Sequence, residues 1–216
     1  MALSQNIADI RINYSRQELT EASVSQNPTQ QFQQWLQEAL DAEVDEPTAM
    51  VLSTVSGTGK PSARVVLLKG LDEQGYTFFT NYDSRKGHDL EENPYASLTF
   101  FWPALERQVR IEGKIVKVAA AESDTYFQSR PKGSQIGAWA SPQSQVIEAR
   151  EVLEQREQEF SEKFANQNVV PRPAHWGGYR LQPDRLEFWQ GRPSRLHDRI
   201  MYVLEGHNWE IKRLAP

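Results

Sequence analysis

AMVLSTVSGTGKPSARVVLLKGLDEQGYTFFTNY, residues 49–82, decides the fold. β-prone runs at 49–56, 62–70 and 76–82 are separated by the turn-forming tetrads GTGK (57–60) and DEQG (72–75). The expectation is a three-stranded antiparallel meander. The middle run, SARVVLLKG, is apolar almost without a break, which predicts a strand buried on both faces. Its flanking charges, Arg64 and Lys69, are five residues apart and are expected to point to opposite faces.

Working outward, Ser84 to about Glu92 reads as a short helix that stops before Asn93 and Pro94, followed by strands at ASLTFFW (96–102) and RQVRIEGKIVKV (107–118). AAESDTYFQSR (120–130) is helical up to the break at Pro131. A long charged helix is expected from about Gln145 to Asn166, with an apolar stripe of Val146, Val152, Leu153, Phe160 and Phe164. GGYRLQPDRLEFWQG (177–191), HDRIMYVLEG (197–206) and HNWEIKRLAP (207–216) alternate like antiparallel strands. Upstream, Asn27 caps a helix with Pro28 in its first turn. Phe32, Trp35, Leu36, Ala39 and Leu40 form its core face, and Asp45, Glu46 and Pro47 end it. Residues 1–26 are polar and weakly periodic, a mobile arm or a short helix around Ile7, Ile10 and Tyr14. Repeats and low-complexity linkers are absent. The reading is one mainly β, α+β domain over residues 1–216, an antiparallel barrel with packed helices.

With 29 acidic and 24 basic side chains among 216 residues, the net charge of −5 argues against wholesale coating of nucleic acid or anionic membrane. Any anion site must be compact. The absence of cysteine excludes disulfides, thiolate metal sites and a Cys nucleophile. A secretory leader and an apolar run of membrane-spanning length are both missing, so the chain reads as soluble, unexported and cytoplasmic. Of the 24 basic residues 16 are Arg, the planar fork suited to phosphate and carboxylate, although surface bias gives the same count.

Four constellations carry chemistry. In SRKGHDL (84–90), Ser84 is a plausible N-cap, and Arg85 and Lys86 sit at the positive pole of the helix dipole. Either an anion relieves that conflict or both side chains extend into water. Arg64 and Lys69 face a cofactor and a second ligand, or simply emerge into solvent. Tyr126 and Arg130 share a helix face, and with Ser134 beyond Pro131 they offer phenol, guanidinium and hydroxyl donors to an oxyanion. The alternative is a helix end with Arg130 on its dipole. In RLHDR (195–199) an extended chain puts Arg195, His197 and Arg199 on one face, over which a planar anion would fit; a solvated strand face is the other reading. Four scattered His without Cys give no metal-ligand spacing, and P-loop, GxGxxG and GxSxG patterns are all missing. Separated basic clusters on a barrel suggest two phosphorylated small molecules.

LEFWQGRPSRLHDR (186–199) resembles the characteristic motif of the pyridoxine 5'-phosphate oxidase family. RVVLLK (64–69), TNYDSRKGHDLEENP (80–94), ERQVRIEGK (106–114), YFQSRPKGSQIGAW (126–139), SPQSQ (141–145) and WEIKRLAP (209–216) are also similar to it, so the resemblance covers nearly the whole chain. It implies an FMN-binding split β-barrel of Greek-key-like antiparallel strands, homodimeric, with FMN at the subunit interface. It implies oxidation of pyridoxine 5'-phosphate or pyridoxamine 5'-phosphate to pyridoxal 5'-phosphate by hydride transfer from C4' to flavin N5. Dioxygen then returns the flavin to its oxidised form and yields hydrogen peroxide, and the amine also releases ammonia.

Carried over by motif, the FMN contacts are Arg64, Val65, Val66, Leu67, Leu68, Lys69, Phe79, Thr80, Arg85, Lys86, Gln108, Gln143, Ser144, Trp189 and Arg199. Lys69, Tyr126, Arg130 and Ser134 are implied to grip the substrate phosphate. Arg195, Leu196 and His197 lie at the pyridine ring, with Arg195 and His197 as the catalytic pair. Arg11 and Tyr14 resemble an arm that closes over substrate, and no metal is implied. Two other readings compete: a different split-barrel FMN oxidoreductase such as a flavin reductase, which needs only the FMN contacts, and a non-catalytic binder of FMN or pyridoxal phosphate.

Overall fold

The computed structural model describes residues 13–216, so Arg11, Ile7 and Ile10 lie outside the described residues. The chain divides into two compact units, one of residues 13–47, 99–111 and 184–216, the other of residues 48–98 and 112–183.

The second unit is built on β1 (Ala49–Val55), β2 (Pro61–Leu67), β3 (Gly70–Asp72) and β4 (Gly75–Asn81), with the first half of β5 (Tyr95–Trp102), the last part of β6 (Arg107–Lys117) and the first half of β7 (Trp176–Gln190). The strand order is β2-β1-β5-β6-β7-β4-β3. β1 and β2 form an antiparallel hairpin with Ala49 opposite Leu67 and Val55 opposite Pro61. β3 and β4 form another, and β4 pairs antiparallel with β7, Tyr76 opposite Leu181 and Asn81 opposite Trp176. The expected three-stranded meander is therefore two hairpins at opposite ends of the strand order. The changeover occurs at one peptide: Leu68 N–H donates to Thr48 O (2.9 Å), extending the β1 ladder, and Lys69 N–H donates to Thr77 O (2.8 Å), opening the β4 ladder. A second expectation also fails, because β2 is an edge strand rather than a doubly buried one, and Val65 is 65% exposed.

Four helices accompany these strands: α2 (Arg85–Glu92), α3 (Ala120–Ser129), α4 (Lys132–Ala140) and α5 (Glu151–Lys163). Pro131 ends α3 as expected, yet its fixed φ suits a helix start, and α4 follows at once. Phe127, Ile136, Phe164, Val170 and Trp176 form the buried core under these helices. α5 is shorter than expected, and Val146 lies outside it, fully exposed.

The first unit holds α1 (Pro28–Asp41), the remaining parts of β5, β6 and β7, and the hairpin of β8 (Asp198–Glu205) and β9 (Asn208–Arg213). Asn27 caps α1 through side-chain acceptance from the Thr29 and Gln30 amides, with Pro28 at the helix start. Phe32, Trp35 and Ala39 are buried, whereas Leu40, expected in the core, is half exposed beyond the edge of the apolar stripe. Phe32 meets Phe100 edge-on at 4.9 Å and Trp35 meets Phe188 at 5.2 Å, which docks the helix on β5 and β7. β7 pairs with β8, Arg185 opposite Val203 and Gln190 opposite Asp198. The α+β, antiparallel class read from the sequence is the one adopted. Among the described residues no helix is long and apolar enough to cross a membrane.

Candidate functional site

The second unit contains a cleft of about 730 Å³ whose walls come from β2, β4, α2, α3, α4 and the loop after α4. It gathers Arg64, Val65, Val66, Leu67, Lys69, Phe79, Thr80, Arg85, Lys86, Gln143 and Ser144 with Tyr126, Arg130 and Ser134. Leu68, also expected at the cofactor, is buried and does not line the cleft. Arg64 and Lys69 line the same cleft and not opposite faces, because the chain changes ladders between them. Five cations and no acidic side chain line this space among the described residues.

At the start of α2 the Ser84 hydroxyl accepts from the Gly87 amide, and Gly87 allows this turn: a Cβ there would lie 1.7 Å from Tyr82 O. The helix thereby directs Lys86 inward. Its buried Nζ donates to Thr80 Oγ1 (3.2 Å), Ser84 Oγ (3.0 Å) and Gln143 Oε1 (3.1 Å), all neutral oxygens. Burial, aided by the nearby Arg64 charge, pushes the Lys86 ammonium down to about 8. Arg64 is held by Leu52 O, Thr54 Oγ1 and Ser62 Oγ, with the buried Asp89 carboxylate 3.7 Å away. Burial lowers its pKa, and Asp89 opposes that shift. Asp89 also accepts from Thr54 Oγ1 at 2.6 Å.

At the α3–α4 side, Tyr126 stacks on Phe79 at 3.9 Å and lies parallel to Trp176. Arg130 is placed over the Trp176 ring at 4.6 Å, and its buried Nη1 has no hydrogen-bond partner. Burial lowers the Arg130 pKa and raises that of Tyr126. A guanidinium nitrogen left unpaired in a cleft without acids is a seat for an anion. Trp176 and Asp89 were not among the sequence candidates. Trp176 reaches Phe79 only through the β4–β7 pairing, and Asp89 had a weak signal, one helical turn after the basic pair Arg85–Lys86.

The remaining candidates lie in the first unit. His197 packs on Trp189 (4.6 Å), and Tyr14 stands edge-on to both, at 5.7 Å from Trp189 and 5.8 Å from His197. His197 Nδ1 accepts from the Arg192 amide at 3.1 Å, so the neutral ring carries its proton on Nε2. Burial, then the Arg195 charge, lowers its pKa and keeps it neutral near pH 7. Arg195, His197 and Arg199 do not form one strand face: Pro193–Arg195 is a 3₁₀ turn with Ser194 and Arg195 at positive φ, and β8 begins only at Asp198. Arg195 and Leu196 are exposed, Gln108 is half-buried, and Arg199 Nε donates to the buried Glu187 at 2.7 Å. No group of three or more His, Asp and Glu side chains among the described residues could hold a metal.

Known proteins bear on this arrangement. Residues 36–164 match the family described as "Pyridoxamine 5'-phosphate oxidase", and residues 176–216 match "Pyridoxine 5'-phosphate oxidase C-terminal dimerisation region". A pyridoxine/pyridoxamine 5'-phosphate oxidase of Burkholderia multivorans is 59% identical over 213 residues, covering 97% of this chain and 99% of that one. A protein of the same description from a Cyanothece species is 56% identical over 211 residues, covering 98% and 99%. Among solved structures, PhzG from Burkholderia lata 383, in complex with tetrahydrophenazine-1-carboxylic acid, superposes with a TM-score of 0.85 at 33% identity, covering 90% of this chain and 95% of that one. An FMN binding protein related to pyridoxamine 5'-phosphate oxidase, from Nostoc punctiforme, shares the fold at a TM-score of 0.70 and 16% identity, over 89% of this chain and all of that one. The fold is the split barrel that the resemblance implied.

Proposed function

Since the chain belongs to the pyridoxine/pyridoxamine 5'-phosphate oxidase family, we propose that it oxidises pyridoxine 5'-phosphate and pyridoxamine 5'-phosphate to pyridoxal 5'-phosphate. Dioxygen is the final acceptor and becomes hydrogen peroxide, and the amine also yields ammonia. The cofactor is FMN, the working form a homodimer with FMN at the subunit interface, and the compartment the cytoplasm.

One observation carries this reading: the acid-free cleft holds two separate cations with no carboxylate partner, Lys86 bonded only to neutral oxygens and Arg130 with an orphaned Nη1. Two such seats call for two phosphates. Arg64, Arg85 and Lys86, with Thr80, Gln143 and Ser144, would hold the phosphate end of FMN. The Val65–Lys69 segment and Phe79 would flank the rest, with Gln108, Trp189 and Arg199 assigned by motif. When bound, FMN supplies two-electron redox chemistry that no side chain here can. Lys69, Tyr126, Arg130 and Ser134 would grip the substrate phosphate, so that most of the orienting work is done far from the reacting carbon. Arg195 and the neutral His197 would bind the pyridine ring, His197 donating from Nε2 and Arg195 stabilising charge that develops there. Arg11 and Tyr14 would cover the substrate.

The test is a visible spectrum of the protein purified without added flavin, followed by anaerobic addition of pyridoxine 5'-phosphate. Bleaching of bound flavin that reverses in air is expected. A yellow protein that does not bleach refutes the substrate, and a chain that cannot take up FMN refutes the cofactor as well. The likeness to PhzG favours a second reading, oxidation of a planar ring acid. Bleaching by tetrahydrophenazine-1-carboxylic acid and not by the phosphate ester would select it.

A further inference from the structure

Glu106 follows a 3₁₀ turn (Pro103–Leu105) and adopts a left-handed backbone, φ 55°, with its side chain buried. A left-handed glutamate is a strained choice, and its geometry is used from both ends. Its main-chain carbonyl accepts from the Gly191 amide (2.8 Å) and from Gln190 Nε2 (3.2 Å). Its carboxylate oxygen Oε2 accepts from two consecutive main-chain amides, Ser15 (2.9 Å) and Arg16 (3.0 Å). Charge-assisted acceptance from two amides fixes a segment more firmly than neutral bonds do. The next residue, Arg107, grips the same segment: it donates to Gln17 Oε1 and to Glu38 Oε2 (2.6 Å), with its guanidinium over Trp35 at 4.3 Å.

The residue placed by this double grip is Tyr14, whose ring meets Trp189 and His197. It sits on Gly191: a Cβ there would lie 2.7 Å from Tyr14 Cβ and Cγ, and 3.0 Å from Glu106 Cβ. The Glu106 carbonyl fixes Gly191, and the following Arg192 amide fixes the tautomer of His197. One buried residue thus orders both sides of the Tyr14–His197 contact.

We propose that Glu106 is a positioning residue for substrate binding, acting through Tyr14, with Gly191 as the seat that contact requires. The assignment rests on the oxidase reading for its kinetic consequence and on the chain alone for its structural one. In the FMN-loaded enzyme, Glu106→Ala is expected to raise KM for pyridoxine 5'-phosphate about tenfold, with the loss in kcat/KM carried mainly by KM. Glu106→Gln, whose amide oxygen still accepts, restores most of it. Adding Glu106→Ala to Tyr14→Ala is expected to give no further loss.

Hydrogen exchange at the Ser15 and Arg16 amides supplies a readout that needs no substrate: protection is lost in Glu106→Ala and retained in Glu106→Gln. Should Glu106→Ala not fold, Gly191→Ala displaces Tyr14 directly and is expected to raise KM by a similar factor. Lost protection with an unchanged KM, or additive losses in the double variant, would overturn the proposal. A wild-type chain that shows the protection pattern but never oxidises the substrate would sink the oxidase reading and leave the latch standing.

Discussion

Cations are treated in opposite ways in the first unit and in the cleft of the second, although outside that cleft Arg172 and Arg180 of the second unit are paired as well. In the first, Arg107 pairs with Glu38, Arg199 and Arg110 with Glu187, Arg192 with Glu18 and Asp198, and Arg213 with Glu21 and Asp198. In the cleft of the second, only Arg64 among the described residues has a carboxylate within reach, at 3.7 Å. Paired cations hold a structure together, whereas unpaired ones in a half-buried cleft oppose folding until an anion arrives.

Arg130→Met attacks this contrast where it is sharpest. Removing the guanidinium with the orphaned Nη1 should lower kcat/KM for pyridoxine 5'-phosphate roughly a hundredfold, about 2.7 kcal/mol. Steady-state oxidation of the ester and of unphosphorylated pyridoxine decides it, since equal losses on both would break the assignment. In the first unit, Glu187→Gln should destabilise the protein by about 2 kcal/mol in urea unfolding, a value discounted for the partial exposure of Arg199 and Arg110. An unchanged midpoint would mean that the paired unit is not held by its pairs.

Lys86→Met should do the reverse, stabilising the flavin-free protein by about 1 kcal/mol while weakening FMN at least tenfold, roughly 1.4 kcal/mol, in fluorescence titration. The smallest effect is in pH. Because the folded Lys86 titrates near 8 and the unfolded one near 10.5, the flavin-free protein should gain stability as pH rises between those values, the unfolded chain binding more protons there. FMN affinity should fall over the same range as the ammonium is lost. Lys86→Met should abolish both slopes, and their persistence would place the titrating group elsewhere.

Local signals were legible and long-range pairings were not. The Asn27 cap, the Pro131 break and the strand periodicities are written in neighbouring residues, and the structure follows them. The basic pair at the positive end of α2 was a contradiction in the sequence, and the acid-free cleft around it is its counterpart in space. The three-stranded meander failed because β4 finds its second partner in β7, about a hundred residues on, which no local pattern announces. VVLL was read as doubly buried because apolarity alone does not distinguish a central strand from an apolar edge. RLHDR was read with a period of two, which holds only for extended backbone, and Ser194 and Arg195 at positive φ remove that premise.

The changeover between Leu68 and Lys69 has a consequence for how this chain can vary. Neighbouring amides there belong to different ladders, so the stretch from Arg64 to Gly70 works as a ruler whose length is set at both ends. The exposed apolar side chains along it, Val65 and Leu67, can be exchanged for others of their kind, because β2 lies at the edge. One inserted or deleted residue would force either the Ala49–Leu67 register or the Gly70–Thr77 register to slip, and with it one of the two charges would leave the cleft. Among related chains this segment should tolerate apolar exchange between Arg64 and Lys69, keep the two charges, and tolerate gaps not at all.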